Sequence, residues 1–298
     1  MFTLSCPVNF YEYPCSEGSL FSILIPSWKN YNHLKLVLES IEKNSAYVHQ
    51  VCVHLNEGDE QSKHLLDSLK ISHSVSKENT GVCFGFNLAY SLAKCRYIVL
   101  MDDDMYVAPE WDKHLYEEIR KQTSIYWCLS GTMIERRKSG NSCVICPYNY
   151  GESPENFQEE KFLAEYSALP HRDWTGSMWY PLVVEKKLWD MIGGLSTEFS
   201  PGMYSDPDFM MKLWQAGVRD FKGISQSRVY HFISKSTVRV KKNNGRKQFL
   251  LKWGMSSSTF TKYYLRLGQP YERPCTTPDS TGFKRKLWID KLKVWCMR

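Results

Sequence analysis

The sequence predicts an α/β fold: a mostly parallel sheet flanked by helices, followed by a helical C-terminal extension. Three observations predict it. Between residues 20 and 102, four short β-forming runs alternate with three amphipathic stretches. The fourth run, Tyr97-Ile98-Val99-Leu100-Met101, passes directly into Asp102-Asp103-Asp104, at the rim where open α/β sheets bind ligands. Beyond residue 242 the apolar residues fall at helical spacing.

Residues 1–19 read as irregular. Residues 20–26 form the first strand, which Pro26 stops. Residues 32–43 place Leu34, Val37, Leu38 and Ile41 on one helical face. Residues 48–55 alternate as a second strand, and Asn56-Glu57-Gly58-Asp59 is the loop at its carboxyl end. A helix over 61–70, a strand over 72–76 and a helix over 85–94 follow. The last of these turns Phe86, Ala89, Tyr90 and Ala93 inward. The fourth strand then ends at Asp102. Pro109 suits the first turn of a helix that aligns Trp111, Leu115 and Ile119. This β-α-β-α-β-α-β order is that of a parallel sheet covered on both faces.

The pattern is mixed after about Tyr126. Residues 127–133 read as a strand, and 147–160 as a loop rich in Pro, Gly and Asn. Residues 174–184 are apolar and aromatic. Residues 186–192 form a short helix closed by Gly193-Gly194. Residues 206–216 form another, closed by Gly217, and Val229-Tyr230-His231-Phe232 ends a strand. Two units are expected, a catalytic domain over 1–242 and a helical, basic-aromatic extension over 243–298.

Composition sets the limits. With 298 residues, 43% hydrophobic and 23% charged, the chain is globular. Its 10 Trp and 18 Tyr exceed what a core requires, so some rings are expected on a ligand surface. A net charge of +6 favours anionic partners without choosing between nucleotide phosphates, membranes and nucleic acid. Ten cysteines without a dense framework read as reduced, intracellular thiols. Cys143-Val144-Ile145-Cys146 is a lone CxxC, read as a strand with two buried thiols rather than a zinc site. The N-terminal residues lack a signal-peptide pattern, no apolar run reaches membrane-spanning length, and no Asn-x-Ser/Thr site occurs. These features predict a cytoplasmic protein.

Three adjacent carboxylates repel one another unless a cation is near. Asp102-Asp103-Asp104 therefore has two readings of equal weight on its own, a solvated acidic turn and a divalent-metal site. The rest of the chain tips the balance. Phe21-Ser22-Ile23-Leu24-Ile25-Pro26, Glu78-Asn79-Thr80-Gly81 with Gly85 and Asn87, and Leu100-Met101-Asp102-Asp103-Asp104 come in that order. Gly193-Gly194-Leu195 with Glu198-Phe199, Asp206-Pro207-Asp208-Phe209 and His231 follow. Each motif alone is weak. Together, over residues 21–242, the chain resembles a family 2 inverting glycosyltransferase of the Rossmann-like GT-A fold.

That resemblance implies transfer of a sugar from a nucleotide-diphospho-sugar, with a UDP-sugar expected, to an acceptor hydroxyl in glycan or polysaccharide synthesis. It implies Mn²⁺ or Mg²⁺ as the cofactor. It makes Asp104 a direct metal ligand and places Asp102 near the ribose or on the same metal. Asp103 is the third acid of the motif, assigned to the donor. His231 becomes a further ligand, although a lone strand histidine is ordinarily structural; Ser234, Ser236 and Thr237 follow it. Asp206 becomes the general base, with Asp208 as the alternative, because Ser205 stands where the family more often has Glu. One acid of that pair could instead cap the helix. A base facing away from the leaving group implies inversion at the anomeric carbon.

Pro26, Ser27 and Trp28 sit at the first strand's end, against the donor. Trp28 could stack on the base or pack under the loop. Glu57 and Asp59 are both candidates for reading the base. Asn79 and Gly81 precede a helix whose N-terminus could approach the donor. Trp174, Thr175, Gly176 and Trp179 are expected to line the sugar or acceptor cleft, with aromatic core as the alternative. The terminal segment groups Leu287, Trp288, Leu292 and Trp295 among lysines, as a membrane-interface helix or as a docking helix. The acceptor is a glycan, a lipid-linked molecule or another hydroxyl. Nucleotidyl transfer is disfavoured because Pro26-Ser27-Trp28-Lys29-Asn30 is not a Gly-rich phosphate loop. Two competing readings are a non-catalytic protein that binds carbohydrate or nucleotide-sugar, and a glycosyltransferase acting on nucleic acid.

Overall fold

The computed structural model describes residues 6–234 and 243–297. Its first half follows the predicted alternation. Strand β1 (Val8–Tyr11) precedes β2 (Phe21–Ser27), α1 (Tyr31–Asn44), β3 (Gln50–Asn56), α2 (Glu60–Ser68), β4 (Ser72–Ser76), α3 (Val82–Tyr90) and β5 (Tyr97–Leu100). Strands β4, β3, β2 and β5 lie side by side and parallel. The second half adds β6 (Met105–Val107), α4 (Trp111–Ile119), β7 (Trp127–Glu135) and α5 (Glu159–Glu165). Then come β8 (Trp174–Thr175), β9 (Leu182–Glu185), α6 (Lys186–Ile192), α7 (Ser205–Gln215) and β10 (Asp220–His231). Beyond the undescribed residues lie α8 (Gly245–Trp253), α9 (Ser257–Thr259) and α10 (Thr281–Met297). Strand β9 runs antiparallel between β5 and β7, β7 pairs parallel with β10, and β6 lies antiparallel on the far side of β10. The result is one mixed, helix-flanked sheet.

Strand alternation explains why helices are needed on both faces. Ile23, Ile25, Val99 and Val183 point to one side, where they pack with Val37 and Ile41 of α1 and Leu115 of α4. Leu24, Ile98, Leu100, Leu182 and Val184 point to the other, against Phe86 of α3, Leu188 of α6 and Leu213 of α7. A strand buried on both faces is largely apolar, as β5 is and as β2 is over Ile23-Leu24-Ile25, and the buried hydroxyls of Ser22 and Ser27 are hydrogen-bonded to Gln50 and Asp103.

Several expectations need correction. Residues 8–11 are not irregular but form β1, an edge strand antiparallel to β4, with Tyr11 stacked 4.7 Å from His73. At four residues it is too short to stand out in the sequence. Strand β6 leaves no sequence signal either, since three residues carry no period. Helix α4 starts at Trp111 rather than Pro109, after Glu110 at φ +60. Cys143 is buried and Cys146 partly exposed in an irregular segment, not on a strand. The extension, expected to be helical, is interrupted at Gly254, whose φ of +69 ends α8. The expected division after residue 242 lies outside the described residues, as do Ser236 and Thr237. Phe249, Phe260 and Leu265 of the extension join the same buried cluster as α3 and α7. Among the described residues, no helix is long and apolar enough to cross a membrane.

Candidate active site

A cleft of about 350 Å³ opens at the carboxyl ends of β2, β3 and β5. The chain turns there because β5 ends while β2 and β3 run on. Leu24 pairs with Leu100, the Met101 amide still donates to the Leu24 carbonyl, and the next three residues cross to β6. Those three are Asp102, Asp103 and Asp104, and all line the cleft. Pro26, Trp28, Asn79, Gly81, Asp206 and His231 line it too. Most of the residues singled out from sequence therefore converge on one site.

The three acids differ in surroundings. Asp103 is buried, accepting from Ser27 Oγ at 2.6 Å and Asn30 Nδ2 at 3.0 Å. It braces the turn after β2, and burial, then the Asp104 charge, push its carboxyl up to about 7. Asp104 accepts from the Ser234 amide at 2.7 Å, and its Oδ1 lies 3.5 Å from His231 Nε2. Burial raises its proton affinity, but His231 outweighs that and holds it well below the usual carboxylate range. Burial and the Asp104 charge push Asp102 well above that range. One oxygen each of Asp102 and Asp104 and a ring nitrogen of His231 lie within 4.8 Å of one another.

Sheet register makes this cluster. Strands β6 and β10 pair antiparallel with Met105 opposite His231, and the Phe232 amide donates to the Asp104 carbonyl at 3.0 Å. Across β10, His231 faces Glu135 of β7, whose Oε1 accepts from Nδ1 at 2.8 Å. A carboxylate on Nδ1 fixes the tautomer and leaves Nε2 turned toward the acids. Burial disfavours the charged ring, yet Asp104 and Glu135 raise its proton affinity well above the ordinary value. Hard carboxylate oxygens with one imidazole suit Mg²⁺ or Mn²⁺. The excess negative charge, with Asp102 and Asp103 holding protons unusually tightly, fits a divalent cation.

Asp206, at the first turn of α7, lines the same cleft. Burial pushes its carboxyl up to about 6, against a hydrogen bond from Tyr180 OH at 3.1 Å. Tyr180 precedes β9, which runs beside β5, and it is part of the cleft wall. Asp208, two residues on, points the other way. It is buried, accepting from Trp253 Nε1 at 2.8 Å and pairing with Lys252 Nζ at 2.9 Å. Only Asp206 of the two lines the cleft.

The remaining predicted residues divide. Asn79 Oδ1 accepts from the Gly81 amide at 2.9 Å, shaping the turn into α3. Gly81 has φ +81, and a Cβ there would lie 2.6 Å from Pro201 Cα, so only glycine lets α3 approach that loop. Glu57 and Asp59 do not line the cleft. Glu57 pairs with Lys29, which pulls its carboxyl down, and Asp59 caps α2 by accepting from the Ser62 amide at 2.8 Å. Asn56 lines the cleft in their place and is buried, accepting from Thr80. Trp174 and Thr175 are core rather than cleft: Trp174 is buried and donates to Thr132 Oγ1 at 3.0 Å. Gly176 is buried and Trp179 packs on the core, both outside the cleft wall. Sequence reasoning missed Glu135 and Tyr180, because each is defined by a partner on another strand or helix.

The glycosyl transferase family 2 model matches residues 22–178, just over half of the chain. The chain belongs to glycosyl transferase family 2. The matched segment holds β2 to β5 and the whole Asp102-Asp103-Asp104 turn. The crystal structure of S. aureus TarS 1-349 superposes with a TM-score of 0.52 at 17% identity, covering 71% of this chain and 60% of that one. The complex of S. aureus TarS 1-349 with UDP gives 0.49 at 17% identity, over 72% and 61%. This chain thus spans about three fifths of the TarS structures. At that identity the likeness is one of fold, and the fold of this family 2 chain is of the GT-A type. The search of curated proteins returned no match.

Proposed function

We propose that the protein transfers a sugar, with inversion, from a nucleotide-diphospho-sugar to an acceptor hydroxyl, using a divalent cation. The observation that carries this reading is the convergence of Asp102, Asp104 and His231 in one cleft that Asp206 also lines. Asp102, Asp104 and His231 hold the ion; Glu135 orients His231. When bound, the ion acts as a Lewis acid that neutralises charge on the leaving diphosphate.

The chain's own residues do the rest. Pro26, Trp28, Asn56 and Asn79 form the wall against which the nucleoside end lies, and Asp103 holds the turn that carries Trp28. Asp206 takes the proton of the acceptor hydroxyl. The acceptor oxygen then bonds to the anomeric carbon as the bond to the diphosphate oxygen breaks on the opposite face, inverting the centre. A carboxyl held at about 6 is ionised at neutral pH yet basic enough to take a proton, which contributes roughly 10²–10⁴-fold. We assign the catalytic unit to residues 1–242 and treat 243–298 as an extension that buttresses α7 through Trp253. A UDP-sugar is the first donor to try. All ten cysteines are unpaired, which suits work in a reducing cytoplasm.

The test is nucleoside diphosphate release from a panel of nucleotide-sugars with Mn²⁺ or Mg²⁺, against EDTA, with donor binding followed in parallel. Metal-dependent turnover of one donor, abolished in Asp104→Ala with its circular dichroism unchanged, is expected. If no donor binds in the presence of metal, the protein is not a nucleotide-sugar enzyme.

A further inference from the structure

We infer that the outer face of α10 rests on an anionic phospholipid surface. The helix is held in one rotational setting. Phe283 and Asp290 are buried on its inner side. Asp290 accepts from the Ser256 amide at 2.9 Å and Ser256 Oγ at 2.8 Å, and also from Thr259 Oγ1. The Phe283 ring lies 5.6 Å from Tyr263 and 5.5 Å from Tyr264.

That setting dictates what faces outward. At 100° per residue, positions 288, 292 and 295 fall within roughly 60° of one another, on the side away from 283 and 290. They are Trp288, Leu292 and Trp295, which are 62%, 42% and 77% exposed. Two tryptophans and a leucine in one open stripe are unusual on a soluble surface. A groove of about 380 Å³, lined by Trp253, Met255, Leu287, Val294 and Trp295, continues the apolar surface alongside.

Charge selects the occupant. Lys284, Arg285 and Lys291 are exposed and flank the stripe. The helix also carries Lys286 and Lys293, and its one acid, Asp290, is on the docked side. Apolar rings at the centre with cations along the edges match acyl chains below and anionic headgroups around, the pattern of interfacial helices. A second copy fits poorly, because a two-fold contact through this face would press the same cations together. Nothing here depends on the donor cleft, so the two readings can fail separately.

The experiment is co-sedimentation of the full chain with sucrose-loaded vesicles, either pure phosphatidylcholine or phosphatidylcholine with one third phosphatidylserine. Binding to the anionic vesicles that weakens with salt is expected. It should fall roughly fivefold for each basic residue removed in Lys284→Gln and Arg285→Gln. It should fall further in Trp288→Ser/Trp295→Ser, with circular dichroism and donor binding retained. Asp104→Ala should bind vesicles as the parent does. Equal binding to both vesicles, no binding, or parent-like binding by the tryptophan variant overturns the inference. So does a dimer that forms without lipid and is dissolved by that variant.

Discussion

At the turn after β5 and at the start of α7, the chain presents two acidic segments to one cleft, and each divides its labour. In the first, Asp104 meets His231 while Asp103, its neighbour, is tied to Ser27 and Asn30. In the second, Asp206 faces the cleft while Asp208 is tied to Lys252 and Trp253. Identical side chains one or two residues apart therefore have different surroundings, one at the candidate site and one tied into the fold. The segments differ in what balances their charge. The first sets Asp102 and Asp104 beside the His231 imidazole and suits a cation. The second leaves one carboxyl buried beside a neutral phenol, which suits the base role proposed for it.

Four measurements test this contrast, starting with the largest effect. Asp206→Asn removes the proposed proton acceptor and should lower kcat by roughly 10²–10⁴-fold with donor affinity unchanged, as read by steady-state kinetics and calorimetry. A matching loss in donor affinity would move Asp206 from base to binding residue. Glu135→Ala frees His231 to rotate and should weaken Mn²⁺ binding by roughly 10–100-fold in a calorimetric titration. Unchanged affinity would remove His231 from the ligand set.

Asp208→Asn should act on stability instead. Lys252 and Trp253 lose a charged partner, at about 1–3 kcal/mol, seen as a Tm lower by several degrees with kcat nearly intact. A large kcat loss with unchanged Tm would reverse the roles of the two acids. The smallest effect concerns pH. Burial holds Asp206 at about 6, and only its ionised form accepts a proton, so kcat should rise as pH increases through about 6. The Tyr180 hydroxyl stabilises that carboxylate. Tyr180→Phe should therefore shift the acid limb upward by roughly one unit. A limb that stays in place would separate Tyr180 from the titration.

Much of this was legible in the sequence. Alternation over 20–102 showed the parallel half of the sheet, because strands buried on both faces are rich in apolar residues. Acids set directly after such a strand marked the rim of the cleft, and their order with Gly81, Asp206 and His231 pointed to the family. What escaped were features made by pairing. Strand β1 is held by backbone bonds to β4, and β6 by bonds to β10, so neither needs a side-chain pattern. Asp59 follows a strand as a base-reading acid would, but it caps α2.

The sequence by itself determined which residue types reach the carboxyl edge of the sheet, since strand length and hydrophobic period are local properties. Only the tertiary structure decided which carboxylate faces the cleft and which braces it. That choice rests on register and long-range partners. His231 meets Asp104 and Glu135 because β10 lies between β6 and β7, and Asp208 turns away because Lys252 and Trp253 arrive from α8. The role of a buried charge follows from its neighbours in space, and those come from segments far along the chain.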